Sequence, residues 1–300
     1  RILSLRMRPM ALHERGVTEP TVSLGALLAG HSPRIGGDTA FGLRDYVEEI
    51  VRGGFPGIMN SAPRLRRGML DAYVQRVIDR DLPEQGYEVR RPETLRRWLA
   101  AYAAASSTTT AYSRLLDATT GGDGGQPAKT TTIAYRDHLT HLWLLDPVPG
   151  WIPANNPIRR LQQSPKHQLA DPALAARLLD LSAEALLTQT GAHMTGPLFE
   201  SLVTLGVRVA AQAAEAKVFH LRTNAGEHEI DLVVQGVDGQ VLGIEVKLAP
   251  SVTDSDVRHL SWLRDQLPDR VVDLLVVTTG PTAYRRPDGI AVVPLALLGP

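Results

Sequence analysis

Two short segments near the C-terminal end carry the residues best suited to chemistry. One is Gly226-Glu227-His228-Glu229-Ile230-Asp231-Leu232-Val233-Val234, and the other is Leu242-Gly243-Ile244-Glu245-Val246-Lys247-Leu248. Side chains alternate faces along a strand, so Glu229, Asp231 and Val233 share one face of the first, and Gly243, Glu245 and Lys247 share one face of the second. Asp231 and Glu245 are then candidate metal ligands, since Mg2+ or Mn2+ takes carboxylate oxygens while keeping several waters. Such an ion polarises a phosphoryl oxygen and lowers the pKa of a bound water, which is the chemistry of phosphodiester hydrolysis. The bare Gly243 leaves room beside Glu245. Lys247 is a candidate catalytic residue that positions or deprotonates the water, because a lysine pKa shifts readily near charged neighbours. It is one of four lysines (Lys129, Lys166, Lys217, Lys247) beside 28 arginines.

Glu200 adds a third carboxylate as an auxiliary catalytic acid. It is the only charged residue from Pro197 to Val207, on a helix apolar nearly all round. A buried lone carboxylate is costly unless it is paired or near a metal. The plainer account of the same residues is a solvated sheet face with a cross-strand ion pair. Glu229 is read as solvated.

Register sets a condition on the carboxylate pair. A two-residue Asp238-Gly239 turn pairs Asp231 with Val246 and puts Asp231 and Glu245 on opposite faces. A three-residue loop, Asp238 to Gln240, pairs Asp231 with Lys247 and Val233 with Glu245, and both carboxylates then share a face. An odd loop or a bulge is therefore expected.

The elements that must hold these residues follow from hydrophobic periodicity. Helices are expected at 172–186, 196–213 and 254–266, and strands at 217–222, 228–235, 241–248, 272–278 and 290–294. This is an α/β pattern around a mixed sheet. Upstream, residues 1–8 alternate as a short strand that Pro9 ends. Helices are expected over Phe41–Arg52 and Ser61–Arg80. Three short helical segments follow from Pro92, through Leu95 to Tyr102, over Tyr112–Ala118, and from Ala128 to Leu142. An extended Trp143–Trp151 comes next. Helix, helix, helix and an extended pair is a winged-helix order. Lys129, Thr130, Thr131 and Arg136, at the start of its third helix, are the candidate nucleic-acid contacts. Thr119–Pro127 is Gly-rich and is expected to be a loop; 152–165 is expected to be a linker.

Composition narrows the class. With 32 basic and 32 acidic residues there is no global charge signature of nucleic-acid binding, which leaves room for a local one. The absence of cysteine removes disulfides, thiolate metal sites and cysteine nucleophiles together. No apolar run is long enough for a membrane span. A cytoplasmic protein is expected. Arg1-Ile2-Leu3-Ser4 is neither an initiator methionine nor a signal peptide, and it is read as the middle of a longer frame.

Pro197-Leu198-Phe199-Glu200, Glu229-Ile230-Asp231 and Ile244-Glu245-Val246-Lys247 resemble the core of the PD-(D/E)XK nuclease superfamily. More narrowly, the chain resembles the C-terminal region of bacterial AAA-type ATPases that carry a C-terminal domain of unknown function. In that group a strand like Arg1–Arg8 closes the ATPase. Segments like Arg52-Gly53-Gly54-Phe55-Pro56 and Asp71-Ala72-Tyr73 with Asp79-Arg80-Asp81 follow, then a winged helix and a nuclease-like fold. The resemblance implies an ATPase remnant and linker over 1–40, a helical connector over 41–91, a winged-helix-like domain and linker over 92–165, and a PD-(D/E)XK-like domain over 166–300. It implies metal-dependent action on nucleic acid, or a catalytically inactive DNA- or protein-binding module coupled to the missing ATPase in a stress or toxin–antitoxin setting. A homo-oligomer is a further expectation. ATP would bind only in the missing domain. This chain has no glycine-rich phosphate-binding loop ending in Gly-Lys-Ser/Thr, so P-loop ATP hydrolysis is not possible within it.

Overall fold

Helices dominate the chain as far as Ala213, and strands predominate after it. The computed structural model describes residues 5–119, 128–152, 164–223 and 226–300. The Gly-rich stretch 120–127, most of the expected linker (153–163) and residues 1–4 of the expected opening strand lie outside the described residues. Leu5–Arg8 belongs to no strand, a correction to the reading of residues 1–8.

In chain order the helices are α1 (Leu24–Leu28), α2 (Leu43–Arg52), α3 (Pro56–Met59), α4 (Pro63–Arg76), α5 (Leu82–Glu84), α6 (Pro92–Ala104), α7 (Tyr112–Ala118), α8 (Lys129–His141), α9 (Pro172–Leu178), α10 (Ala183–Leu187), α11 (Ala192–Ala213) and α12 (Asp254–Gln266). A π-helical turn at Val77–Asp81 joins α4 to α5. The single helix expected over 172–186 is two helices. Asp180 adopts a left-handed φ of 54°, and Ser182 caps α10 by accepting from the Ala185 N–H.

The strands are β1 (Val22–Ser23), β2 (Lys217–Arg222), β3 (Glu229–Gln235), β4 (Val241–Lys247), β5 (Val271–Thr278), β6 (Tyr284–Arg285), β7 (Ala291–Pro294) and β8 (Leu298–Gly299). Six of them form one mixed sheet in the order β2-β3-β4-β5-β7-β6, and β1 pairs with β8. The β2–β3 and β3–β4 pairs are antiparallel, while β4–β5 and β5–β7 are parallel. Both faces of the sheet are covered, as a partly parallel sheet requires. On one side Leu198, Phe199 and Leu202 of α11 join Leu232, Val234, Leu242 and Ile244 in a core that continues into the helical region. On the other, Val257, Leu260 and Leu263 of α12 pack with Ile230, Val233, Val241 and Val276.

One extended segment stitches the two regions together. Residues 166–176 are buried without a break. Lys166 and Val148 exchange backbone hydrogen bonds of 2.9 Å in both directions, and Asp146 N–H donates to Gln168 O at 2.8 Å. On the other side Ser107 N–H donates to His167 O at 2.8 Å, and His167 N–H to Thr108 O at 2.9 Å. The extended stretch after α8 therefore pairs with residues 166–169 rather than standing apart as a free wing. Asp171 ends the segment, fully buried. Its carboxylate caps α9 at Ala173 N–H (2.8 Å) and accepts from Gly54 N–H at 2.6 Å. The Met10 backbone lies against Gly54 where a Cβ would stand, so only glycine fits there.

Candidate functional site

The hairpin that carries the carboxylates has an odd loop, and a bulge lies where β3 meets β2. Val233 pairs with Gly243, Val234 with Leu242 and Gln235 with Val241. Gly236 N–H donates to Gln240 O at 3.0 Å, leaving Val237-Asp238-Gly239 as a three-residue loop, with Gly239 at a φ of 82°. The loop sits one residue earlier than Asp238–Gln240. Val233 therefore faces Gly243 rather than Glu245, and the same register continued from Leu232↔Ile244 sets Asp231 level with Glu245 rather than Lys247. The bulge lies on the other flank of β3. Opposite Phe219–Leu221 the register with β2 shifts, and Ile230 and Val233 both pack toward α12.

Gly243 leaves no room for an ion. A Cβ there would stand 3.0 Å from both Leu263 and Leu274 and 3.2 Å from Leu260, so its missing side chain serves the packing of α12 and β5.

The four residues expected to act together are brought together, with a fifth among them. Lys166 Nζ lies 2.9 Å from Glu200 Oε1, 2.9 Å from Asp231 Oδ1 and 3.7 Å from Glu229 Oε1. The Lys166 side chain is only 1% exposed. The other Asp231 oxygen accepts from the Val246 backbone N–H at 2.9 Å. Lys247 Nζ stands 3.3 Å from Glu245 Oε2, while the buried Glu245 Oε1 has no hydrogen-bond partner. Glu229 is not simply solvated, since Arg222 also pairs with it at 3.5 Å. Beside the cluster His228 stacks flat on Trp262 at 4.0 Å, and its Nδ1 lies 3.2 Å from that of His259.

Two lysines face four carboxylates, and the charges sort accordingly. Burial works against the Lys166 ammonium, but Asp231 and Glu200 outweigh it and raise its pKa. Burial likewise opposes the Asp231 carboxylate, and Lys166 overcomes it, holding Asp231 below the usual range. Burial pushes Glu200 up to about 8, with Lys166 opposing and Asp231 and Glu229 adding to the rise. Burial and the Asp231 charge push Glu245 well above the carboxylate range. Glu200 thus holds its proton at neutral pH.

A pH dependence follows from Glu200. A carboxyl whose folded pKa is raised contributes its stability fully below the unfolded value and loses it as pH rises through the folded value. For Glu200 that window runs from 4.5 to about 8. Glu200→Gln should therefore gain in melting temperature relative to wild type as pH goes from 5 to 8, followed by thermal unfolding at half-unit steps. A wild-type-to-variant difference that stays flat across this range would show that Glu200 does not carry its proton in the fold.

The donor set bears on the expected Mg2+ or Mn2+. Both Asp231 oxygens and one Glu200 oxygen are already engaged, two of the three by the Lys166 ammonium. A divalent ion on Asp231 Oδ1 would meet that ammonium at the same oxygen, and like charges at such range exclude each other. Among the described residues no group of three or more His, Asp or Glu side chains is arranged to hold an ion. With Lys166 in place the residues do not fit a divalent cation.

The expected nucleic-acid contacts stand on a separate helix. Lys129 and Thr130 are exposed at the start of α8, where no side chain caps the helix, and Thr131 is half-buried. Arg136 pairs with Asp137 at 2.9 Å and lies over the Tyr112 ring at 5.1 Å. No described helix is long and apolar enough to cross a membrane.

With this geometry in hand, comparison with known proteins places the α/β region. Residues 195–298 match the model of a domain of unknown function (DUF4143). That domain is typical of the C-terminal part of AAA-ATPase-associated proteins. Residues 43–185 match a second domain of unknown function (DUF8612), which takes in α2 to α9 and the Lys166 segment. The DUF4143 region holds Glu200, Asp231, Glu245 and Lys247, so the cluster draws on both matched regions. No curated protein matches the chain. Among solved structures, protein VC1899 from Vibrio cholerae is similar at 17% identity with a TM-score of 0.27, covering 85% of this chain. The chain spans 57% of that protein's length.

Lys166 is the site residue that sequence reasoning missed. It stands directly after the stretch read as a linker (152–165), and its partners are 34 and 65 positions away. The available signal was its rarity, one lysine of four, directly before the apolar Leu169-Ala170 and the Asp171-Pro172 helix start.

Proposed function

We propose that this chain is the C-terminal module of an AAA-type ATPase, and that its nuclease-like α/β domain engages nucleic acid without hydrolysing it. The observation that supports this most is Lys166, buried and bonded at 2.9 Å to both Glu200 and Asp231. A nuclease needs those oxygens for a metal and its activated water; in this chain they serve an internal cation. Contact with nucleic acid falls to α8. Lys129, Thr130, Thr131 and Arg136 would meet backbone phosphate there, with the uncapped N–H groups of the helix start adding to the attraction. The ATPase would couple its cycle to this binding through the helical region.

One pair of assays tests the proposal. Mixed DNA and RNA incubated with the chain and Mg2+ or Mn2+ should give no product. Binding followed by fluorescence anisotropy should weaken in Arg136→Ala, with a salt slope shallower by about 1. Metal-dependent cleavage that vanishes in Lys247→Ala would overturn the proposal in favour of a hydrolytic enzyme. Failure to bind any nucleic acid would leave a protein-binding module.

A further inference from the structure

We propose that the cavity between the Arg6–Arg8 segment, the end of α11 and the start of β2 binds the phosphate group of a nucleotide through Arg6, Arg8 and Lys217. The cavity measures about 520 Å3 and shares no lining residue with the Lys166 cluster or with α8. Small-molecule sites commonly run from about 300 to 1,000 Å3. The site is separate from the nucleic-acid contacts assigned to α8 and does not depend on them.

Charge is the first observation. Four cationic side chains, Arg6, Arg8, Arg208 and Lys217, line the cavity against two carboxylates, Asp146 and Glu215. The excess is not spread over open surface. Arg208 is buried, the Arg6 and Arg8 side chains are 24% and 15% exposed, and the single Asp146 carboxylate serves all three. Burial works against the Arg6 charge. Asp146 supports that charge, but Arg8 and Arg208 oppose it, and the Arg6 pKa falls below the ordinary guanidinium value. Cations drawn from water in this way call for counter-charge. An excess of two matches a phosphate group, which carries close to two negative charges near pH 7.

Donor capacity is the second observation. A guanidinium has five N–H groups in a planar fork that suits phosphate oxygens. Arg208 is engaged by the Asp146 carboxylate and by the backbone oxygens of Asp146 and Pro147. Arg6, by contrast, gives only Nη1 to Asp146, and Arg8 gives Nε to Asp146 and Nη1 to Gln212. Nη2 of both, and Nε of Arg6, have no partner among the described residues. Lys217 is exposed and pairs with no described carboxylate. The third observation points to a nucleotide rather than bare phosphate. Arg6 lies over the ring of Trp143 at 5.1 Å, and that exposed indole is held at a left-handed φ of 59°. An aromatic face beside phosphate donors offers a base a stacking surface.

Isothermal titration calorimetry with metal-free pyrophosphate and ATP tests the assignment. Wild type should bind each at one site, and ATP more tightly, with Trp143→Ala removing the difference. Arg6→Ala and Lys217→Ala should each weaken both probes about 10-fold, the loss of one charge-assisted hydrogen bond. Neither variant endangers the fold, since Arg6 is partly screened and Lys217 is exposed. Arg64→Ala, which removes an exposed arginine of α4, should leave both affinities unchanged. Single-stranded oligothymidylate tells the two sources of the phosphate apart. If it competes with ATP, and its binding weakens in Arg6→Ala, the nucleotide is a unit of a strand; if ATP binds without such competition, it is a free nucleotide. No saturation by about 1 mM of any probe would overturn the proposal. So would succinate binding as tightly as pyrophosphate, since the cavity would then hold any anion, or equal weakening in Arg64→Ala. ATP binding no tighter than pyrophosphate would overturn the assignment to a nucleotide. The reading of α8 fails separately, through oligonucleotide binding that does not respond to Arg136→Ala.

Discussion

Lys166→Ala should lower the unfolding free energy at pH 7 by about 3–5 kcal/mol, the usual consequence of stripping one partner from a buried ion pair. The size follows from what is left behind. Asp231 keeps its charge only because the ammonium offsets its burial, and Glu200 keeps a short hydrogen bond to the same group. Without the lysine, Asp231 either stays ionised without a counter-ion or takes up a proton, and both cost stability at neutral pH. The sign with pH is fixed by the same coupling. A carboxylate with a depressed pKa contributes stability above its unfolded value, 3.8 for Asp231, and loses it as pH falls through the folded value. Urea unfolding at pH 7 and at pH 3.5 should therefore show the larger loss at pH 7. A loss under about 1 kcal/mol at pH 7 is what a surface pair would give, and it would remove Lys166 from the account.

Asp146→Ala should be comparably damaging, for a related reason at a different place. Asp146 is 5% exposed and receives three guanidinium groups. Arg6 reaches it at 2.8 Å, Arg8 at 2.9 Å, and Arg208 also pairs with its carboxylate. Arg208 is itself buried and donates to the backbone oxygens of Asp146 (2.6 Å) and Pro147 (2.8 Å). Burial disfavours the Asp146 charge, but Arg208, Arg8 and Arg6 together hold its pKa below the usual range. Removing it leaves Arg208 buried without its counter-charge and takes from Arg6 and Arg8 the carboxylate they share. A loss of about 3–5 kcal/mol is expected for Asp146→Ala. Arg6→Ala should cost under about 1 kcal/mol, because the Arg6 side chain is 24% exposed and partly screened. Equal losses in the two variants would mean that the clamp is not centred on Asp146.

Much of the α/β region was legible because its cause is local. The 217–222, 228–235 and 241–248 alternation gives β2, β3 and β4 within a residue, and the helix expected at 254–266 is α12. The demand for an odd loop or bulge between Asp231 and Glu245 came from parity alone, and the hairpin has the odd loop, while the bulge lies in the β2–β3 pairing. The exact register was not legible, because Gly236 and Gln240 close the loop one residue earlier than Asp238-Gly239 implied. Local pattern also gave the α6, α7 and α8 order, but not where the chain goes after it. The pairing of 145–148 with 166–169 is a tertiary event between segments with no strand-length alternation of their own. Gly243 and Lys166 mark the same limit at the site. Which side of β4 the core fills, and which cation arrives from a distant segment, depend on contacts that no local window contains.

The most direct measurement is nuclear magnetic resonance of 15N-labelled lysine ammonium groups, which four lysines make easy to resolve. One signal, absent in Lys166→Arg, should exchange slowly with water and stay protonated to a higher pH than a solvated lysine, whose pKa is about 10.4. If all four signals exchange and titrate as solvated lysines do, Lys166 is not the buried cation of this site and the carboxylates are free for another.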